Sequence, residues 1–382
     1  MKKNICIGFL IVWGIGLAGC SKQAGSKQVV MTESGSSPIL LETDPRPPLV
    51  LESETEVTEE EHTGLDYYEP WERGETDGMV RSYLTGEMVP VAQGNRRPLA
   101  IMMSNDKEAQ PQYGINRAGV VFEAPVEGSM NRYMAIIENY DDLDRIGSVR
   151  SCRTYYTYFA REFDAIYAHY GQSTFAKPYL KNVDNINGIE GVGETAYFRS
   201  KDRKRPHNAY ASFSGIQNAI EKLGYSQEYD SGYQGHYQFA KEGRPVFLEG
   251  DDVVSAVKVT PGYSYNHPWF EYREEDGLYY RYQYGTEHMG NEGPIAVKNI
   301  LIQCCSAGYY ATTDYRNINV HEDQYGAYYI TNGKAVFVKW KKDGEFGVTH
   351  FYRTDGTEIV LNPGKTWVCI VPTSDVEKIE FE

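Results

Sequence analysis

The sequence predicts an α+β protein, with an N-terminal α/β domain built on a mixed sheet and a C-terminal domain rich in antiparallel strands. Three observations support this fold class. From Arg97 onward, short apolar runs alternate with stretches of helical periodicity, which favours an α/β layer. From about residue 236 the apolar period changes to two, which favours an antiparallel sandwich or an open barrel. The composition, with 41% hydrophobic and 24% charged residues, is that of a globular protein.

The net charge argues against nucleic acid as a partner. The 382 residues carry a formal charge of −15, and a protein that grips a polyanion needs a surplus of basic side chains. The length is sufficient for two or three domains.

The amino terminus has the form of a secretory signal. Lys2 and Lys3 precede an apolar run over residues 5–19, which ends in Leu17-Ala18-Gly19-Cys20. The run is shorter than the stretch of about 18 apolar residues that a transmembrane helix needs. The small residues before Cys20 resemble the lipobox of bacterial lipoproteins. We therefore expect a signal peptide at 1–19, lipidation of Cys20, and attachment to the extracytoplasmic face of the cell membrane.

Residues 20–90 are rich in Ser, Gly, Pro, Thr and Glu, and contain few large apolar side chains. Such a segment cannot bury enough surface to offset the entropy of ordering it, so we predict an acidic disordered spacer. Tyr67, Tyr68 and Trp71 are the exception within it, because their aromatic rings could dock onto the folded body. The globular part is then divided into an N-terminal domain (91–235) and a C-terminal domain (236–382).

The N-terminal half starts with three predicted strands, at 98–103, 119–124 and 133–140. Residues 151–163 carry Tyr155, Tyr158, Phe159 and Phe163 at spacings of three and four, which predicts a helix. A further strand follows at 164–170. Functional residues on such sheets tend to lie in the loops at strand ends.

The C-terminal half is predicted to contain mainly strands. Asn332-Gly333 lies between two apolar runs, at 328–330 and 335–340, and suits the tight turn of a hairpin. The strand at 297–305 is apolar throughout, and further strands are predicted at 349–352, 358–361 and 367–371.

Several motifs of the N-terminal half share their order and spacing with one protein family. They are Arg97-Pro98-Leu99-Ala100-Ile101-Met102-Met103, Pro111-Gln112-Tyr113-Gly114, Val121-Phe122-Glu123-Ala124, Glu127-Gly128, Arg132-Tyr133-Met134-Ala135-Ile136, Ile146-Gly147-Ser148-Val149-Arg150-Ser151-Cys152-Arg153, Asp164-Ala165-Ile166-Tyr167-Ala168-His169-Tyr170-Gly171 and Arg205-Pro206-His207-Asn208. On these residues the chain resembles the YerB-like lipoprotein family, over about 91 to 375. The resemblance implies a two-domain plan and a location at the membrane, but no established reaction.

Cationic side chains gather in the predicted loops of this half, which suggests an anion-binding site. The candidate ligand-binding residues are Arg132, Arg150, Arg153, Arg203, Arg205, His207 and Asn208. Guanidinium groups clasp phosphate or carboxylate groups bidentately, and a helix amino terminus adds backbone N–H groups. We therefore expect a binding or accessory module for an anionic or glycan-like envelope ligand. The alternative is that these arginines pair with acids of the same chain.

Two other functions remain open at this point. In an enzyme, a cell-wall polymer hydrolase or a phosphoryl-linked transferase, Glu127 or Asp164 would act as acid or base, with His169 or His207 as proton carrier. In a protein-interaction scaffold, the aromatic surface of the C-terminal half would meet a partner.

No metal and no cofactor are expected. His267, His288, His321 and His350 lack ligand spacing, and the glycines of 187–193 do not follow a nucleotide-binding pattern. Cys152, Cys304, Cys305 and Cys369 are not spaced as zinc ligands either, so we expect buried free thiols.

Overall fold

The computed structural model describes residues 66–382, and within them four α-helices, six short 3₁₀-helices and twenty-five strands. The α-helices are Val91–Gly94, Thr154–Glu162, Gly193–Ala196 and Phe213–Leu223. The 3₁₀-helices are Pro70–Glu72, Lys107–Ala109, Ile115–Arg117, Glu127–Ser129, Leu180–Asn182 and Thr373–Lys378.

The largest element is a mixed sheet of twelve strands. In spatial order, ten of them are Val253–Ser255, Lys334–Lys342, Ala327–Thr331, Asn299–Tyr309, Thr366–Pro372, Val120–Pro125, Asn131–Ile137, Leu99–Ser104, Ile166–His169 and Asn185–Asn187. Arg316–Asn319 pairs with Asn299–Tyr309, and Thr349–Tyr352 pairs with Lys334–Lys342.

The two halves of the chain share this sheet. Thr366–Pro372, from the end of the chain, pairs in parallel with Val120–Pro125 on one side and with Asn299–Tyr309 on the other. Backbone hydrogen bonds therefore run without a break from the N-terminal half into the C-terminal half.

Two apolar cores cover the two faces of the sheet. In the strand Leu99–Ser104, Ala100 and Met102 enter one core, whereas Leu99, Ile101 and Met103 enter the other. This alternation follows from the two-residue period of a strand. Each core contains residues of both halves of the chain, so neither half has a core of its own.

The remaining strands form smaller antiparallel sheets. A six-stranded sheet contains Thr286–Glu287, Leu278–Gln283, Trp269–Arg273, Lys258–Thr260, Glu380–Phe381 and Ala296–Val297. A three-stranded sheet contains Ile146–Gly147, Ala209–Ala211 and Tyr197–Arg199, and two-stranded sheets pair Met79–Arg81 with Met88–Pro90 and Met289–Gly290 with Gly293–Pro294. The mixed sheet and these antiparallel sheets confirm the predicted α+β fold class.

The helix predicted over 151–163 is present as Thr154–Glu162, and it is buried on nearly all sides. Arg161 is its one residue that is not buried. An amphipathic stripe predicts a surface helix, whereas the helix Thr154–Glu162 is enclosed by protein. Its tyrosines can be buried because their hydroxyl groups find hydrogen-bond acceptors within the protein. Tyr155 and Tyr156, for example, donate hydrogen bonds to the backbone oxygens of Pro125 and Arg132.

The predicted spacer ends earlier than expected. Residues 66–90 belong to the folded body: the backbone N of Tyr68 donates to the oxygen of Phe239 (3.0 Å), and the guanidinium of Arg81 lies 3.3 Å from the Tyr68 ring centre. The prediction of a disordered spacer was therefore wrong for residues 66–90. It rested on the average composition of the segment, whereas docking depends on a few aromatic side chains such as Tyr68. Residues 1–65, which include the signal peptide, Cys20 and the rest of the spacer, lie outside the described residues.

One buried ion pair connects the large sheet to the six-stranded sheet. Glu123 and Arg281 are both 0% exposed, and Arg281 Nη2 lies 2.9 Å from each carboxylate oxygen of Glu123. Asn131 Nδ2 and Trp367 Nε1 also donate to this carboxylate, at 2.8 and 3.0 Å. The pair is therefore fully hydrogen-bonded on its acidic side, as a buried charge requires.

The same arginine fixes the tautomer of a buried histidine. Arg281 Nη1 can only donate, so His288 Nδ1, at 2.9 Å, accepts. His288 Nε2 then donates to Gln112 Oε1 at 2.9 Å. Burial, assisted by the charge of Arg281, holds the pKa of His288 well below its usual value.

Replacing Arg281 with methionine should lower the free energy of unfolding by about 3–5 kcal/mol, because the carboxylate of Glu123 would be left buried without its partner. The measurement is equilibrium denaturation in urea. Arg117→Met is the matched control, since Arg117 pairs with Asp142 and Glu292 at the surface, and its loss should cost less than about 1 kcal/mol. Equal losses in the two variants would contradict this role.

Candidate anion-binding site

Three of the candidate residues, Arg132, Arg150 and Arg153, lie where parallel strands of the large sheet end. Leu99–Ser104, Val120–Pro125 and Ile166–His169 run in one direction, so their carboxyl ends lie at one edge. The strand Asn131–Ile137 runs the other way and starts there, with Arg132 in register with Ser104 and Ala124. This edge is where open α/β sheets usually bind ligands.

The segment 149–153 crosses the same edge. The backbone N of Arg150 donates to the oxygen of Met102 (3.0 Å), and the oxygen of Arg150 accepts from the N of Tyr170 (2.9 Å). Arg153 is the N-cap residue of the helix Thr154–Glu162. The chain path thus carries Arg150 and Arg153 to the strand ends where Arg132 lies.

Five arginine or lysine residues are buried within residues 66–382: Arg97, Arg132, Arg153, Arg281 and Lys342. Four of them pair with carboxylates, namely Arg97 with Asp164 and Asp184, Arg153 with Glu127, Arg281 with Glu123, and Lys342 with Glu162. Arg132 has no carboxylate oxygen within 4.0 Å among these residues. It is therefore the one buried cation of the described chain without an ion pair, although Glu127, the partner of Arg153, is near enough to act on its pKa.

Arg132 is 5% exposed, and its side chain makes one hydrogen bond within the described residues, from Nη1 to the backbone oxygen of Ser151 at 2.6 Å. Burial lowers the pKa of Arg132 to about 10, and repulsion from Arg153 and Arg150 contributes to the shift. The side chain remains a cation at neutral pH, and the charge of Glu127 offsets part of the repulsion from the two other arginines.

Arg150 and Arg153 complete a cluster of three guanidinium groups, which we call the arginine cluster. Arg153 forms a bidentate pair with Glu127. Arg150 donates to the backbone oxygen of Pro206 at 3.3 Å. Burial lowers the pKa of Arg150, and the charge of Arg153 lowers it further, while Asp106 and Glu127 oppose the shift. The three guanidinium groups and the carboxylate of Glu127 together carry a net charge of +2, with Asp106 as a further acid near Arg150.

The loop 199–208 contributes less to the cluster than the sequence suggested. Arg203 donates to the backbone oxygens of Ala109, Gln110 and Pro111, and so fixes a neighbouring loop. Asn208 is buried between Arg199 and Ser200, with which it exchanges hydrogen bonds of 2.7 and 3.1 Å. Neither side chain is placed as a ligand of an external anion.

Two other residues of this loop, Arg205 and His207, do not hold backbone segments together with their side chains. Arg205 is exposed and has no ion pair within the part of the chain that the structure describes. His207 Nδ1 lies 3.5 Å from Asp106 Oδ2, and its Nε2 lies 3.8 Å from Glu108 Oε2. His207 therefore stands beside acids at the margin of the cluster, where Pro206 already contacts Arg150.

The three expected catalytic residues do not form one site. Glu127 is bound by Arg153: burial acts to raise the pKa of Glu127, but the hydrogen bonds and charge of Arg153 outweigh it and lower the pKa. Asp164 precedes the strand Ile166–His169, whereas His169 ends it, which separates the two by about 16 Å along an extended chain.

The side chains of Asp164 and His169 also have hydrogen-bond partners within the protein already. Asp164 accepts from Arg161 at 2.7 Å and from the backbone N of Asp230 at 2.7 Å. His169 is 0% exposed, with Nδ1 2.8 Å from the oxygen of Gly171 and Nε2 3.2 Å from Asn185 Oδ1. Burial lowers the pKa of His169. A histidine enclosed in this way has no ring nitrogen free for a substrate.

Aromatic residues next to the cluster were not found from the sequence. The guanidinium of Arg153 lies 5.1 Å from the ring centre of Tyr315, and Tyr310 donates to Thr154 Oγ1 at 3.1 Å. Phe175 stacks on Tyr310, with ring centres 3.9 Å apart. These tyrosines lie about 160 residues further along the chain than Arg153, on the hairpin of Asn299–Tyr309 and Arg316–Asn319, so no local pattern connects them with the arginines.

Comparison with known proteins identifies the family. The model of the N-terminal domain of the protein of unknown function DUF3048 matches residues 84–226, and the model of its C-terminal domain matches 257–368. The chain belongs to this two-domain family. The arginine cluster, Glu127 and the loop 199–208 all fall within the N-terminal match, whereas Arg281 and Tyr315 fall within the C-terminal one.

A relative of this chain is the protein named "Putative lipoprotein YerB" of Bacillus subtilis (strain 168). It is 28% identical over 317 residues, which cover 80% of this chain and 90% of the relative. The crystal structure of YerB matches with a TM-score of 0.67 at 27% identity, over 79% of this chain and 99% of that one. These matches confirm the resemblance drawn from the sequence motifs.

Homology to a named lipoprotein indicates a membrane-anchored protein. Among residues 66–382 we find no helix with the length and apolar character needed to cross a bilayer. Cys20, the expected lipidation site, precedes these residues and stays a prediction.

Glu127→Gln should reduce stability in a pH-dependent way. The pKa of Glu127 is lowered below 4.5 in the folded state, so its stabilising effect is complete above about pH 4.5 and is lost as the pH falls through the folded-state pKa. The difference in melting temperature between the wild type and Glu127→Gln should thus be larger at pH 6 than at pH 3. Glu249→Gln, at an exposed residue, is the control. A difference that grows on acidification would contradict the assignment.

Proposed function

We propose that this DUF3048 protein is a lipid-anchored component of the extracytoplasmic face, and that its arginine cluster binds the phosphate or carboxylate group of a cell-envelope ligand. The lipidated residue would be Cys20, at the end of the signal-like segment. Membrane attachment through lipid would bring the folded body close to anionic envelope components.

The observation that carries the proposal is that Arg132 is buried without an ion pair among residues 66–382, since the nearby carboxylate of Glu127 is bound by Arg153. A buried cation without a partner costs several kcal/mol, and the other four buried cations of the described chain all have carboxylate partners. An anion from outside the molecule would supply the missing charge at Arg132. Its Nε and Nη2 atoms donate to no acceptor within residues 66–382.

The surroundings of Arg132 suit an oxyanion. Arg150 adds a second guanidinium whose one side-chain hydrogen bond in the described chain is 3.3 Å long. The helix Thr154–Glu162 begins next to the cluster, and its first-turn N–H groups and positive dipole end favour negative charge. His207 and Arg205 lie on the adjoining loop, where they could contact the remainder of a larger ligand.

Binding is better supported than catalysis by the three candidate acid–base residues. Glu127 is held by Arg153, while Asp164 lies at the opposite edge of the sheet and His169 is enclosed. General acid–base chemistry needs such groups within hydrogen-bonding reach of one substrate.

Arg132→Met should weaken binding of inorganic pyrophosphate at least about tenfold, because a charge-assisted hydrogen bond contributes about 1.5–3 kcal/mol. The melting temperature without ligand should stay the same or rise, since an unpaired buried charge is removed. Calorimetric titration and thermal unfolding measure the two effects.

Arg353→Met is the control for that experiment, because Arg353 pairs with Asp252 away from the cluster. This variant should bind pyrophosphate as the wild type does. A large fall in the melting temperature of Arg132→Met with unchanged binding would show that Arg132 has a structural role instead.

Cys20→Ala should abolish acylation. Cells expressing the wild type and the variant would be labelled with an alkyne fatty acid, which should be incorporated only where Cys20 is present. Cys152→Ala is a matched control, because the Cys152 thiol is buried and free. Continued labelling of Cys20→Ala would refute the lipid anchor at this residue.

A further inference from the structure

A second candidate site lies at the far end of the helix Thr154–Glu162. A cavity of about 390 Å³ is found there, within the range of about 300–1,000 Å³ typical of small-molecule sites. His236 lines it, and His236 Nε2 lies 2.7 Å from Oε2 of Glu162, the last residue of the helix. Since Arg153 precedes the first residue, the helix of nine residues, about 13 Å long, separates this cavity from the arginine cluster.

The wall of the cavity is built mainly from two segments that neither DUF3048 model matches. One comprises residues 68–83, which follow the spacer, and the other comprises 232–239, between the two matched regions. Residues from 343–358 close the remaining side. The docking of 66–90 onto the folded body is therefore what creates the cavity.

Five tyrosine or phenylalanine side chains line this wall: Tyr68, Tyr83, Tyr233, Tyr237 and Phe239. Several of these rings are held firmly. Arg81 lies over the ring of Tyr68 at 3.3 Å, and Arg73 lies over the ring of Tyr83 at 3.7 Å. Fixed aromatic rings offer apolar faces to the C–H face of a sugar ring and lose little conformational entropy when they do so.

The charged groups of the wall are of both signs, and most of them contact other groups of the protein. His350 lies between Glu358 and Asp343, with Nδ1 2.6 Å from the first and Nε2 3.1 Å from the second. Arg81 Nη1 donates to the oxygen of Gly86 at 2.6 Å, and Arg73 Nε donates to the oxygen of Arg81 at 2.7 Å. Because Arg73 and Arg81 stand against the carboxylates of Glu69, Asp343 and Glu358, the charges of the wall nearly balance, which does not favour a strongly charged ligand.

Four residues of the wall have buried polar atoms without a hydrogen-bond partner in residues 66–382. They are the hydroxyl groups of Tyr233 and Tyr237, Nδ1 of His236 and Nε of Arg81. Because His236 Nε2 donates to Glu162, Nδ1 of the neutral ring is an acceptor. A buried polar atom left without a partner costs about 1–3 kcal/mol. The hydroxyl groups of a polyol can act as both donors and acceptors to such atoms.

We infer that this cavity binds a neutral sugar, with the ring against the tyrosines and its hydroxyl groups at Tyr233, Tyr237 and His236. This site is separate from the arginine cluster and does not depend on the function proposed for it. The two sites differ in chemistry, since one is cationic and the other is aromatic and close to neutral.

The test uses the full-length protein in a detergent without a sugar headgroup, titrated with cellobiose, maltose and N,N′-diacetylchitobiose. Calorimetry and saturation-transfer NMR should detect binding of at least one of them. Tyr233→Phe should weaken that binding about fivefold, the value of one hydrogen bond. Tyr229→Phe is the matched control: its ring stacks on Tyr233 with centres 4.9 Å apart, its hydroxyl also lacks a partner, and it does not line the cavity.

Three results would overturn the inference. The first is the absence of binding by all three disaccharides. The second is equal weakening in Tyr233→Phe and Tyr229→Phe, or no weakening in either Tyr233→Phe or Tyr237→Phe. The third is a crystal structure at saturating disaccharide in which the cavity contains water only. If Arg132→Met alone abolished disaccharide binding, the sugar would belong to the arginine cluster and the cavity would not be a sugar site.

Discussion

A positive charge that is buried needs a negative partner, and this constraint organises the described structure. The pair Arg281–Glu123 connects the two largest sheets, and Lys342–Glu162 connects the end of the helix Thr154–Glu162 to the large sheet. Arg153–Glu127 fixes the start of the same helix. Each pair joins elements that are distant in sequence, so charge compensation and folding are coupled. Arg132 lies among these pairs without an ion pair of its own in the described residues, and the proposal that it binds an external anion rests on this difference.

Much of the fold was accessible from the sequence because strand and helix periodicity are local. The strands predicted at 98–103, 119–124 and 133–140 are present as Leu99–Ser104, Val120–Pro125 and Asn131–Ile137, and the Asn332-Gly333 hairpin is confirmed by positive φ values at both turn residues. The continuity of the large sheet across the two halves of the chain could not be predicted from the sequence. The strand Thr366–Pro372 inserts beside Val120–Pro125 across about 250 residues of chain, and no local pattern specifies which strand becomes its neighbour.

The position of the arginine cluster was predicted in part, because local periodicity places its three arginines at strand ends. Arg132, Arg150 and Arg153 flank the ends of predicted strands, and strands that run in parallel bring such ends to one edge. What the sequence could not decide is which guanidinium groups are neutralised. Arg203 and Asn208 have the same residue types as a ligand-binding loop but are used to hold backbone segments together. That distinction depends on side-chain contacts made only in the folded chain.

The central claim is that the arginine cluster holds a positive charge which is balanced from outside the molecule. The most direct measurement is the anomalous difference map of a crystal soaked in selenate, a heavy analogue of an oxyanion. The account predicts a peak within hydrogen-bonding distance of the guanidinium groups of Arg132 and Arg150. It would be contradicted by a map without a peak there, in a structure where Arg132 instead contacts a carboxylate of its own chain.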